Sequence, residues 1–140
     1  MFLWNMSLET GIAAIDLPRR QLIEAMADFF RILDDPTLNQ KMVAEHTGTI
    51  YKFMKAAFTA EDQFLKAQTG EETEGHQTTH ATQLAAYVDL CRKAVPKIRN
   101  LKQAQHICQE IYLVIDHGLY SHLKNEALDY KHLLRAAGHK

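Results

Sequence analysis

The chain has 140 residues and carries 16 Lys+Arg against 17 Asp+Glu, a formal net charge of −1 at pH 7. That length suits one domain with its own apolar core, and a balanced charge without a basic run argues against nucleic acid as a partner. No stretch approaches the roughly 20 apolar residues that span a bilayer, so no membrane partner is expected.

The opening residues, Met1 to Ser7, lack the positive n-region and the length of a secretory signal. Two cysteines, Cys91 and Cys108, are too few for a disulfide framework, and a cytoplasmic protein is expected. Eight histidines are the one compositional pointer to metal.

Residues 1–16 lack helical periodicity, contain Gly11 and read as an extended arm. Asp16 suits an N-cap and Pro18 a first helical turn. From there Leu22, Ile23, Met26, Phe29, Phe30 and Leu33 recur at three and four, the spacing of one buried helix face. Asp34-Asp35-Pro36 closes this helix. A second is predicted over 38–68, with Met42, His46, Ile50, Phe53, Met54, Ala57, Glu61, Phe64 and Leu65 on one side and Gly70 as its stop. A third is predicted over 74–95, facing inward with His76, His80, Leu84, Tyr87, Val88 and Cys91 and ending at Pro96. The fourth is predicted over 101–122, with Ile107, Ile111, Val114 and His117 inward. A short helical tail follows over 123–140. Period-two alternation is scarce, so the expected fold is all-α: an antiparallel up-down four-helix bundle over 17–122.

The chemistry concentrates in 61–80. A helix carrying Glu61 ends in a Gly/Glu/Thr turn, and the next opens with His76-x-x-x-His80. Histidines at i and i+4 share a helix face, so two imidazoles can reach one metal ion. His117 and His122 supply further imidazoles from another helix. A second constellation has a similar rhythm. His46 stands eleven residues before Ala57, His106 eleven before His117, and Cys91 eleven after His80. Eleven residues is about three turns, so an imidazole–thiolate site at the other end of the bundle is an open alternative to ordinary core residues.

Taken in order, Trp4, Gly11-Ile12-Ala13-Ala14-Ile15-Asp16, Phe58-x-x-Glu61-Asp62, His76-x-x-x-His80, and His117 followed five residues later by His122 follow a recognisable signature. Over residues 4–122 the chain resembles the hemerythrins, and its length and long connection between the third and fourth helices resemble the bacterial branch. The resemblance implies an antiparallel bundle with two carboxylate-bridged non-haem irons that bind dioxygen reversibly. It places His76, His80 and His117 as the histidines of one iron and Glu61 as a bridging carboxylate.

Three positions depart from that pattern. Arg19 and Ala57 stand where the resemblance implies the terminal histidines of the other iron, and His122 stands in place of an aspartate. Half of the site is kept and half is lost. The expectation is therefore one metal, held by His76, His80, His117, Glu61 and His122, with iron the first candidate and zinc the alternative. Arg19 is expected over the vacant second-metal position beside Ala57, paired with Glu61 and supplying the missing positive charge.

The expected function is metal binding, with sensing or binding of O2, NO or the metal itself as the role. Two alternatives stand beside it: an intact dinuclear oxygen-binding site with unusual ligands, including a second iron, and a metal-free bundle that acts as a partner-binding or sensory module. No nucleophile or substrate pocket is legible, so an enzyme is not expected.

Overall fold

The computed structural model describes residues 8–69 and 74–127; for residues 68, 69 and 74–78 it describes the backbone alone. Trp4, Gly70 and the tail beyond Ala127 lie outside the described residues. Within them the chain is all-helical, with four helices and no strand.

Helix α1 spans Ala13–Ile32, and its buried residues Ile15, Arg19, Leu22, Ile23, Met26 and Phe29 form one face at helical spacing. It begins before the expected Asp16 cap. Asp16 lies inside the first turn and its carboxylate reaches back over the entering chain: Oδ1 accepts from the Thr10 amide at 2.9 Å and the Thr10 hydroxyl at 2.8 Å, and Oδ2 from the Gly11 amide at 3.1 Å. Gly11 takes φ +84°, a left-handed turn that glycine adopts without steric cost. A carboxylate at this end also complements the helix dipole.

Asp35 closes the next turn by accepting from the amide and hydroxyl of Thr37. Asn39 then caps α2, Gln40–Thr69, by accepting from the Met42 amide at 2.9 Å. The buried face of α2 carries Val43, Ile50, Met54, Ala57, Phe58 and Glu61. Helix α3, Glu74–Ala94, runs into a 3-10 turn, Val95–Lys97, at Pro96. The Tyr87 hydroxyl donates to the Thr47 carbonyl at 2.6 Å and ties α3 to α2.

Helix α4, Leu101–Val114, starts at Asn100, whose side chain accepts from the Gln103 amide at 2.9 Å, while Gln103 Oε1 accepts from the Arg99 amide at 2.7 Å. These reciprocal bonds satisfy amides that the first turn leaves open. The helix continues through a π-helical turn, Ile115–Tyr120, to residue 127.

The π-helical turn changes which residues face inward. Along α4 and its continuation the buried positions are Ile107, Cys108, Ile111, Ile115, Leu119, Leu123, Glu126 and Ala127. Steps of four from Ile111 to Leu123 would drift by about 40° each on a regular α-helix. The wider turn cancels that drift. Val114 and His117, expected inward, are therefore exposed. Helices α1 and α2 pack together most extensively, and the apolar core runs from Leu8 and Leu22 through Met54 and Phe58 to Ile111 and Leu123.

Candidate metal centre

Four helical segments converge on one buried polar cluster at the Phe58–Glu61 level of α2. Arg19 comes from α1 and is wholly buried, as is Glu61 from α2. Arg19 Nε donates to Glu61 Oε1 at 2.7 Å and its Nη1 to the Leu123 carbonyl at 3.0 Å. Its Nη2 lies 3.7 Å from Glu126 Oε1. The expected Arg19–Glu61 pair is thus present. It sits in a setting where burial is tolerable only because the guanidinium has a carbonyl and two carboxylates around it.

His80 from α3 enters the same cluster. Its Nε2 lies 3.1 Å from Glu61 Oε2 and 3.5 Å from Glu126 Oε1, and its Nδ1 lies 3.1 Å from Asp62 Oδ1. The Phe58 ring stacks parallel to the imidazole, with centroids 3.9 Å apart. Burial opposes a charge on His80, but hydrogen bonds to Glu126 and Glu61 outweigh it, and the pKa is raised to about 9. His122, half-buried on the continuation of α4, contacts Glu126 one turn later through Nε2, and its ring stands edge-on to that of His80 at 5.7 Å.

One ligand atom each from His80, His122 and Glu126 lies within 4.8 Å of the other two. Among the described residues this is the one group of three such donors. Two imidazoles and a carboxylate, with a second carboxylate from Glu61 beside them, suit a borderline divalent ion of the zinc or iron(II) type. Charge points the same way. Glu61 and Glu126 face the Arg19 guanidinium and Asp62 faces His80, so three carboxylates stand against one guanidinium and two negative charges remain among these groups while both imidazoles are neutral. One divalent cation closes that difference, as two protons would.

The five residues expected as ligands separate. His80, His122 and Glu61 lie in the cluster. His117 does not: it is exposed, two residues from both Ile115 and Leu119, and the π-helical turn sets it on the outer side. His76 lies on α3, but its side chain is outside the described residues. Ala57 is buried in the apolar core. The second constellation is not assembled among the described residues. His106 is exposed and paired with Glu110 at 3.0 Å, His46 is half-buried, and Cys91 hydrogen-bonds to Tyr87 and Thr47, with burial pushing its thiol pKa up.

Glu126 was not foreseen. It stands in the leucine-bearing tail, and the signal for it in the sequence is its i, i+4 spacing from His122. An open cavity of about 730 Å³ lies apart from this cluster, between α3 and the start of α4, and is lined by Leu90, Ala94, Lys97, Lys102 and Ile107. No helix among the described residues is long and apolar enough to cross a membrane. No family model matches the chain, and no curated protein or solved structure matches it.

Proposed function

We propose that this chain is a hemerythrin-like, antiparallel four-helix domain that holds a single divalent metal, with iron the first candidate and zinc the alternative. The observation that carries the reading is the convergence of His80, His122 and Glu126 donor atoms within 4.8 Å, with Glu61 3.1 Å from His80. These four residues would hold the ion. When bound, it would supply a Lewis-acidic or redox centre for a small ligand such as O2 or NO.

The residues do not fit the second iron of the dinuclear pattern. Where its ligands are expected, Ala57 offers no donor and Arg19 presents a cation hydrogen-bonded to the carboxylate that would bridge the pair. Arg19 does electrostatically what a second metal would do: it neutralises Glu61 and approaches Glu126. Reversible oxygenation in the resembling family draws electrons from two irons, so metal binding or sensing is the role proposed here rather than oxygen carriage. A cytoplasmic setting belongs to the proposal and agrees with free Cys91 and Cys108.

The test is isothermal titration with zinc or anaerobic iron(II) on the wild type, His122→Ala and Glu126→Gln. Binding in the wild type that weakens at least tenfold in both variants supports the assignment; equal binding in all three contradicts it.

One observation favours a second reading. With His80 held protonated, the cluster can remain a metal-free ionic core, and the bundle would then serve as a partner-binding module. That reading expects no response to metal in the wild type.

A further inference from the structure

Glu61 and Asp62 are consecutive on α2, so their side chains leave the helix about 100° apart and cannot point the same way. Glu61 is fully buried in the cluster, whereas the Asp62 side chain keeps 23% of its exposure. His80 lies between the two. Its Nε2 faces Glu61 at 3.1 Å, and its Nδ1 faces Asp62 at the same distance. Phe58, one turn earlier on α2, covers a face of the ring at 3.9 Å with an interplanar angle of 1°. A single turn of α2 therefore grips this imidazole on its inner nitrogen, its outer nitrogen and its flat face.

The chemistry of the outer contact is directional. A carboxylate can only accept, so the contact is satisfied when Nδ1 carries a proton. In a neutral imidazole the lone pair then lies on Nε2, the nitrogen that faces Glu61 and Glu126. We propose that Asp62 is the positioning residue of the metal centre: by accepting from His80 Nδ1 it selects the tautomer and ring orientation that present Nε2 to the ion. This rests on the metal-binding reading for its consequence, but the Nδ1 contact with Asp62 and the ring setting are properties of the metal-free protein as well.

The general behaviour of such outer carboxylates gives the size of the effect, about 10- to 100-fold in metal affinity. The hydrogen bond matters here apart from the charge, so the amide of asparagine should retain part of it. Asp62 is partly exposed, and neither replacement leaves a buried charge alone.

The experiment uses zinc titration and ¹⁵N NMR of the histidine rings on the full chain, comparing the wild type, Asp62→Leu and Asp62→Asn. In the wild type the His80 ring is expected to show a slowly exchanging Nδ1 proton, and in the zinc-loaded protein a ligated Nε2. Asp62→Leu is expected to weaken zinc about 10- to 100-fold and to lose the slow Nδ1 exchange, with Asp62→Asn recovering much of both. Zinc affinity and Nδ1 exchange in Asp62→Leu within twofold of the wild type overturn the proposal. If the wild type takes no zinc, the metal reading fails by itself. The Nδ1 proton of the metal-free protein then decides: lost protection in Asp62→Leu sustains the positioning role, and unchanged protection removes it.

Discussion

Replacing Arg19 by methionine keeps a long apolar stem and removes the guanidinium, and the structure sets what that should cost. Glu61 would lose a 2.7 Å charged hydrogen bond at a site with no solvent exposure. The Leu123 carbonyl would lose its 3.0 Å donor, and Glu126 a cation at 3.7 Å. Removing one partner of a buried ion pair typically costs about 3–5 kcal/mol, and the stranded carbonyl pushes toward the upper part of that range. For a chain of this size, with a urea m-value of about 2 kcal/mol/M, the unfolding midpoint should fall by about 2 M.

The assay is urea unfolding in the presence of a chelator, so that no metal masks the loss. Arg19→Met combined with Glu61→Leu removes the charge that the single variant strands, and should be less destabilised than Arg19→Met alone. A single-variant cost below about 1 kcal/mol would refute the reasoning. So would simple additivity of the two substitutions, because residues in this contact must couple. Zinc should also bind Arg19→Met more tightly than the wild type, because a positive charge beside its carboxylate ligands is gone.

Three further outcomes follow from the same geometry. In metal-free protein His80 has a pKa raised to about 9 from 6.5, so the folded state holds a proton that the unfolded chain has released. Its stabilisation, about 3 kcal/mol, is complete below about pH 6.5 and should fade as pH rises through 9; His80→Gln should flatten that part of a chelated unfolding profile. His117→Ala should leave zinc affinity within about twofold of the wild type, since His117 is exposed, whereas a tenfold loss in titration would place it among the ligands. Asn100→Ala should cost about 1 kcal/mol in urea unfolding by removing the α4 cap.

Helical periodicity made four helices legible, and the ends at Asp35-Pro36 and Pro96 were marked by their own residues. Residue type alone does not locate the start of α1, because Asp16 lies inside its first turn. An aspartate near a helix start can serve the preceding loop from inside the first turn, and this one does. The Arg19–Glu61 pair was legible through the resemblance, which puts Arg19 at a ligand position beside Glu61, and a buried guanidinium there needs that carboxylate.

The fourth helix was harder to read. The steps Ile111, Val114, His117 each fall about 60° short of a full turn, so a stride of three does not hold one face, and nothing in Ile115–Tyr120 announces a π-helical turn except Gly118. The π-helical turn keeps Ile115, Leu119 and Leu123 on the inner side, and the α-helical continuation sets Glu126 one turn beyond His122 in the cluster. Glu126 escaped notice because an acidic residue in a leucine-bearing tail ordinarily faces water.

One metal per chain at the Arg19-capped cluster is tested by native mass spectrometry of the full chain after anaerobic iron(II) or zinc loading. A single bound ion that disappears in Glu126→Gln is the predicted result. Two ions in the wild type would contradict the role given to Arg19, and none would leave the cluster as an ionic core without metal.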